Sequence, residues 1–290
     1  MKSKNDGILK YGLIIAIIIF IANAVYYMNM ALDEPVFLKH YYEVNLYDRE
    51  HLSIHFIDNS NVKNQLYDID FPQLPEDFAY ISISDFYNKK DGLGRSFKHA
   101  HYNYNTIFLE IRSADRNQED KNEETIILDK AIIKYYSGHK QEVDIGKIVI
   151  HKNIKELNFA DNFYSLISNN FSFGTKITAV KDVAIENIES YMDKEINGFM
   201  GIVMNDVKIE HLKFPVIINN GDSIFLKKDY NFTSEDNRKY NVYNVQKRIM
   251  FSDMEGNKGN GLIHNLNYDP LEIFLTERGI IDYLKFIGVK

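Results

Sequence analysis

Two hydrophobic patterns divide this chain. The residues from Tyr11 to Leu32 form one nearly unbroken apolar run, whereas the remainder alternates apolar and polar residues in short stretches between polar turns. A helix over the apolar run is roughly 33 Å long, which is enough to cross the hydrocarbon core of a membrane. Alternation with period two is typical of strands that have one buried face. We therefore predict a transmembrane helix followed by a mainly β fold.

The charges beside the apolar run predict its orientation in the membrane. Lys2, Lys4 and Lys10 precede the run, whereas the first charges after it are Asp33 and Glu34. Basic residues are retained on the cytoplasmic side of a membrane. We therefore expect a single-pass signal anchor with a cytoplasmic N-terminus, and an extracytoplasmic location for everything from Asp33 onward.

A second interpretation of the same run stays open. The small residues that end at Ala24 resemble the cleavage site of a secretory signal peptide, and cleavage there releases a secreted protein beginning at Val25. Apolar residues continue beyond this site to Met30, which is unusual for a signal peptide. Tyr26 and Tyr27 also suit the interface between membrane and water. The uncleaved anchor is therefore favoured over the cleaved signal.

The alternating stretches predict individual strands. Residues 79–84 and 106–112 alternate apolar side chains with others, as half-buried strands do. Residues 126–136 and 142–151 form a predicted hairpin, because Gly138 in the loop between them permits a positive φ.

Further along the chain, the pattern predicts a bulge, a second hairpin and a helix. The apolar positions of the strand 142–151 change phase at Gly146, which indicates a β-bulge. Residues 212–218 and 223–228 flank an Asn/Gly/Asp loop typical of hairpins, and Pro215 favours an edge strand there. Residues 280–287 carry apolar side chains on one helical stripe, so we predict a short amphipathic helix.

These elements predict tandem antiparallel β-sandwich-like domains with a short C-terminal helix. A polar stretch separates two strand-rich blocks and supplies the domain limits. The predicted organisation is a basic leader (1–10), a transmembrane helix (11–32), a first domain (33–155), a linker (156–174) and a second domain (175–290).

Composition narrows the possible partners. The formal net charge is −7, and because the first eleven residues contribute +2, the remainder carries −9. Such an acidic surface repels nucleic acids, so we predict no nucleic-acid partner. The chain has no cysteine, which excludes disulfides, thiol nucleophiles, thiolate zinc sites and a lipidated cysteine. Any membrane attachment is therefore expected to come from the helix.

Two groups of residues are candidate metal ligands. His99 and His101 are two residues apart, so on a strand both imidazoles would project to one face and could share a metal ion. Asp115, Glu119 and Asp120 offer oxygen ligands of the kind that Ca²⁺ prefers. Neither group contains a complete ligand set at a known spacing, so surface histidines and a solvated acidic loop are favoured over metal sites. We predict no cofactor and identify no catalytic residues.

The sequence predicts a membrane-anchored, extracytoplasmic protein of the cell envelope that acts by non-enzymatic binding or assembly, with proteins, cations or neutral sugars as its expected partners. An alternative is a secreted or anchored hydrolase whose site combines distant carboxylates and histidines. A deep cleft that brings such groups together would favour this alternative.

Overall fold

The computed structural model describes residues 2–46, 49–61, 66–84, 94–114, 124–152, 163–167, 173–233 and 235–290. The helices in these ranges are α1 (Lys2–Met30), α2 (Asp193–Ile196), α3 (Leu271–Phe274) and α4 (Glu277–Phe286). The strands before residue 160 are β1 (Val36–Phe37), β2 (His40–Leu46), β3 (Arg49–Asn59), β4 (Leu66–Asp70), β5 (Ala79–Ile83), β6 (Arg95–Lys98), β7 (Tyr102–Ser113), β8 (Glu124–Tyr135) and β9 (Lys140–Lys152). The strands after it are β10 (Phe163–Ile167), β11 (Phe173–Thr178), β12 (Val183–Glu189), β13 (Met200–Met204), β14 (Val207–Lys208), β15 (Val216–Ile218), β16 (Ser223–Tyr230), β17 (Val242–Asp253) and β18 (Lys258–Tyr268).

The N-terminal helix lies outside the folded body. Residues Lys10–Met30 of α1 are long and apolar enough to cross a membrane, and none of this segment is buried in the fold. The helix ends at Met30, whereas the sequence analysis placed the limit of the membrane segment at residue 32. The difference arises because Leu32 is only 5% exposed and packs into the core of the β-rich body.

The strands form three sheets, and the predicted mainly β fold with sandwich-like packing is confirmed. Sheet A has the order β1-β3-β7-β5, with β6 also paired to β7. Sheet B has the order β15-β12-β17-β2-β9-β8-β4, with β18 also paired to β17. Sheet C has the order β10-β11-β16-β13-β14. Sheet B therefore contains strands from both halves of the chain.

The two hydrophobic cores lie on opposite faces of sheet B. Core 1 combines residues of sheet A, such as Ile54, with Ile148 and Ile150 of β9. Core 2 combines residues of sheet C, such as Leu226, with Val149 of β9. Because successive residues of a strand point to opposite faces, sheet B is the shared middle layer of two β-sandwiches.

The central strand β2 joins the two halves of sheet B. It pairs in parallel with β9 on one side and with β17 on the other, whereas the alternation in the sequence suggested antiparallel strands. Along β2, Tyr42 and Val44 belong to core 1, and Tyr41 packs against core 2. A strand that is covered on both faces is typical of parallel pairing.

The predicted hairpin and bulge in sheet B are confirmed. Strands β8 and β9 pair antiparallel, and Gly138 in their turn has φ +84°. The pairing register shifts where Gly146 lies, and Gly146 has φ +96°. A Cβ atom at Gly146 would lie 2.4 Å from the carbonyl oxygen of His40. The bulge therefore requires glycine for both its backbone conformation and its close approach to β2.

The predicted second hairpin is wrong. Strand β15 pairs with β12 in sheet B, whereas β16 pairs with β11 and β13 in sheet C. The turn between them instead carries the chain from one sheet to another, and the amide of Gly221 donates to the carbonyl of Ala179. The expectation that Pro215 marks an edge is confirmed, because the following strand β15 is the end strand of sheet B.

The predicted C-terminal amphipathic helix is confirmed as α4. Ile280, Tyr283 and Leu284 of α4 are buried in core 1, which they share with Phe274 of α3. The ring of Phe274 stacks on Tyr104 of β7, with ring centroids 4.9 Å apart. The end of the chain thus completes the core built by sheet A and the first half of sheet B.

Candidate functional site

The end of α1 meets the end of sheet A at a junction with a small cavity. This cavity has a volume of about 70 Å³. It is lined by Tyr27, Met30, Ala31, Asn59, Asn61 and His101. We call this group the junction.

Hydrogen bonds fasten the helix end to the β-rich body. The side chain of Asn59 accepts from the amide of Leu32 (2.8 Å) and donates to its carbonyl (2.7 Å). The Tyr102 hydroxyl donates to the carbonyl of Met30 (2.7 Å), and burial with the nearby Glu277 charge raises the pKa of Tyr102 to about 12. Because the last carbonyls of a helix have no partner within it, the bond from Tyr102 satisfies a carbonyl that would otherwise need water.

A positive charge from the other end of the chain also reaches the helix end. The Nζ atom of Lys290 donates to the carbonyls of Asn29 (2.9 Å) and Ala31 (2.5 Å). Cations are favourable at the C-terminal end of a helix, where the helix dipole is negative. The N-terminal helix and the C-terminal segment are therefore joined at one end of the molecule.

The two candidate histidines lie in the turn between β6 and β7 and not within a strand. A ring nitrogen of His99 lies 3.1 Å from the carbonyl oxygen of Phe274. The backbone amide of His101 donates to Glu277 (2.7 Å), and its Nδ1 lies 2.8 Å from the same carboxylate oxygen. Burial by itself would raise the pKa of Glu277, but the hydrogen bonds from His101 outweigh it and lower that pKa below its usual value. Both histidines thus hold the C-terminal helices against sheet A.

The His101 ring also contacts α1. Its centroid lies 5.6 Å from that of Tyr26 and 5.5 Å from that of Tyr27. One imidazole therefore connects the apolar helix, the β6–β7 turn and α4.

The metal hypotheses stay predictions. Within the described ranges, no three His, Asp or Glu side chains come together in a way that could hold a metal ion. The acidic candidates Asp115, Glu119 and Asp120 lie outside the described residues.

A buried polar cluster, which the sequence analysis missed, lies on the core 2 face of sheet B. Its centre is Glu43 of β2, which is fully buried. One carboxylate oxygen lies 3.2 Å from Nε2 of His151, and the other accepts from the Ser190 hydroxyl (2.8 Å). The Arg248 side chain approaches the carboxylate to 4.0 Å and lies over the ring of Tyr191. No sequence spacing links these residues, because they come from three strands and a loop.

The cluster contains a hydroxyl, an imidazole and a carboxylate in series. The Thr125 hydroxyl lies 2.9 Å from Nδ1 of His151, whose Nε2 faces Glu43. Thr125 is exposed, whereas His151 and Glu43 have no exposed surface. Such a series is the arrangement that activates a nucleophile in hydrolases, although here Ser190 bonds to the carboxylate and not to the imidazole.

A buried pair of imidazoles lies between sheets A and B. The Nε2 atom of His40 accepts from the amide of His55 (3.0 Å), and the rings stack 5.6 Å apart. The Tyr104 hydroxyl lies 2.8 Å from Nδ1 of His55. Burial lowers the pKa of His55 to about 3, and burial with the neighbouring His55 lowers that of His40 well below its usual value. Both rings are therefore neutral at pH 7.

No protein-family model matches the chain, and no curated protein matches it. A protein of unknown function from Porphyromonas gingivalis W83 is similar over 81% of this chain and 95% of its own, at 11% identity and a TM-score of 0.23. Domains 4-9 of the surface layer protein SbsC are similar over 80% of this chain and 31% of theirs, at 12% identity and a TM-score of 0.25. The sialic acid binding region of a Streptococcus sanguinis SK1 adhesin is similar over 80% of this chain and 76% of its own, at 8% identity and a TM-score of 0.23. At these TM-scores the similarities carry no argument about function.

Proposed function

We propose that this protein is anchored in a membrane by α1 and holds its β-rich body outside the cytoplasm, where it binds or assembles with other components of the cell envelope. The proposal rests on the exposure of the apolar helix α1. The apolar segment Lys10–Met30 is unburied, Met30 at its end accepts a hydrogen bond from Tyr102, and Leu32 just beyond it is hydrogen-bonded to Asn59. An exposed apolar helix of this length needs a nonpolar surrounding, which a bilayer supplies.

The orientation follows from charge. The basic leader favours the cytoplasmic side of the membrane. The acidic body is repelled by anionic lipid headgroups, which are concentrated on that side. Cleavage after Ala24 is the alternative, and a chain beginning at Val25 would still contain Tyr26 and Tyr27 for the contact with His101. We favour the uncleaved helix because the apolar sequence continues through the site.

Fractionation of cells that express the full chain tests this proposal. We expect the protein to stay in the membrane pellet after an alkaline wash, to keep its leader by intact mass, and to be digested by protease added outside the cytoplasmic membrane. A mature N-terminus at Val25 together with soluble protein would replace the anchor by a secreted form. Full-length protein in a membrane-free cytosolic extract would contradict both forms.

A second candidate function is hydrolysis, and the series from Thr125 through His151 to Glu43 favours it. The purified full-length protein and its Thr125→Val variant are compared on a nitrophenyl ester. Turnover that is lost in the variant would support a Thr125 nucleophile. Under the leading proposal, neither protein hydrolyses the ester faster than buffer.

A further inference from the structure

A polar cavity lies at the ends of β8 and β9, away from the junction. Its volume is about 550 Å³, within the range of small-ligand sites. It is lined by Pro75, Asp77, Phe78, Glu124, Thr125, Ile126 and Lys152.

The cavity contains a buried positive charge. Lys152 is only 3% exposed, and its Nζ atom donates to the carbonyl oxygen of Phe78 (3.3 Å) and lies 5.3 Å from the centre of the Phe78 ring. In the described part of the chain, no carboxylate lies within 4.0 Å of this nitrogen. An ammonium group has three N–H donors, so the carbonyl satisfies one of them.

Burial of a charge without an opposite charge is costly, and buried lysines are normally paired. Because the described residues give Lys152 no carboxylate partner, its remaining N–H donors favour an anionic group that enters the cavity from outside. The ring of Phe78 and the side chains of Pro75 and Ile126 add apolar surface beside that position.

The wall of the cavity is already formed. The amide of Phe78 donates to the carbonyl of Pro75 (3.0 Å), and the carbonyl of Phe78 also accepts from the amide of Ala114 (3.2 Å). Gln73 accepts from the amides of Asp129 and Lys130 of β8, at 3.2 Å each. The loop that carries Phe78 is therefore fixed to both sheets, and a ligand would not need to order it.

The rim restricts the charge of the ligand. Asp77 and Glu124 line the same cavity and are exposed. Two carboxylates beside one ammonium disfavour a polyanion such as phosphate, and they favour a ligand that also carries a positive group.

We propose that this cavity binds the free carboxylate of a peptide-like ligand, with the carboxylate at Lys152 and a cationic group of the ligand at Asp77 or Glu124. Apolar atoms of the ligand pack on Phe78. This inference specifies the binding role proposed above and rests on it.

Calorimetry on the full-length protein in detergent micelles tests the site with three probes. These are N-acetyl-phenylalanyl-lysine with a free carboxylate, the same dipeptide as its C-terminal amide, and N-acetyl-phenylalanyl-glutamate. We expect the first to bind about tenfold more tightly than the amide, since a charge-assisted bond is lost, and more tightly than the acidic dipeptide. Equal binding of acid and amide, or no binding of any probe at millimolar concentration, would overturn the proposal.

Variants assign the effect to individual side chains. In Lys152→Met the preference for acid over amide should disappear, whereas Lys130→Met, which changes an exposed lysine of β8, should keep it. Asp77→Asn should weaken the preference for the basic dipeptide over the acidic one. If Lys152→Met does not fold, the comparison of the acid and amide dipeptides on the unchanged protein still shows whether the cavity binds a free carboxylate.

The test is independent of cellular location. Loss of binding with correct membrane fractionation would reject the site alone, whereas a cytosolic location with binding intact would reject the anchor alone.

Discussion

At the scale of single residues, the buried imidazoles of His40 and His55 make stability sensitive to acid. Because the pKa of His55 in the folded protein is about 3, the unfolded chain takes up a proton first as the pH falls below about 6.5. Stability from this residue is complete above that pH and is lost as the pH falls toward 3. We expect a loss of about 2 kcal/mol from His55 between pH 7 and pH 5, measured by urea unfolding.

Asp58 opposes this trend. Burial raises the pKa of Asp58 to about 6, so the folded protein takes up that proton before the unfolded chain does. An Asp58→Asn variant should therefore lose stability more steeply than the unchanged protein between pH 7 and pH 5. A shallower loss of unfolding free energy in the variant would show that Asp58 is not the group that opposes the effect of His55.

Glu43 holds the buried polar cluster together. Replacement by alanine removes the partner of His151 and Ser190, and we expect a cost of about 3 to 5 kcal/mol because buried polar groups lose their bonds. Glu142, whose side chain is 63% exposed in its ion pair with Lys130, is the matched control. Glu142→Ala should cost less than about 1 kcal/mol. Equal costs in the two variants, measured by denaturant unfolding, would contradict the role of the cluster.

At the scale of elements, two glycines of the β8–β9 hairpin allow the cost of an unfavourable backbone conformation to be measured apart from the cost of a steric clash. Both have positive φ, but a Cβ atom at Gly138 meets nothing within 4 Å, whereas one at Gly146 meets the backbone of His40. We expect Gly138→Ala to cost about 1 kcal/mol and Gly146→Ala at least about 3 kcal/mol in unfolding free energy. Similar costs for both variants would mean that the backbone of β2 moves away from position 146 and that the expected clash with His40 does not occur.

The same elements show how far the sequence predicts the fold. Local signals gave the β8–β9 hairpin, the bulge at Gly146 and the stripe of α4, because turn chemistry and periodicity act over a few residues. The turn before Ser223 has the composition of a hairpin, yet its flanking strands join different sheets. Sheet partners depend on contacts between distant segments, which local alternation does not encode.

The polar sites are harder to predict from the sequence than the fold. The pair of His99 and His101 was identified as a candidate, but its partners Phe274 and Glu277 are more than 170 positions away along the chain. Glu43 and Lys152 carried no signal at all, since burial of a charged side chain within a strand depends on which sheet covers it.

At the scale of the whole molecule, the shared sheet and the C-terminal helices predict cooperative folding. Core 1 needs Val242 of β17 and Phe274 of α3 in addition to residues before 155. We therefore expect a fragment of residues 33–155 to lack a dispersed NMR spectrum, because this part of its core is missing. The β-rich body of the full chain should instead unfold in one transition.

The control is a fragment of residues 31–290, expressed in the same way. A folded fragment 33–155 would support the domain limits that the polar linker suggested, and it would contradict the dependence of core 1 on the C-terminal segment.

The position of β2 determines how the body responds to mechanical load. Under the proposed anchoring, a pull on α1 first loads residues 31–39, where β1 pairs with β3 of sheet A, and then β2, which runs parallel to both β9 and β17 in the middle of sheet B. A force directed along β2 would load its hydrogen bonds to both neighbours at the same time, because both neighbours run parallel to it. A connection of this kind resists extraction of β2 under tension.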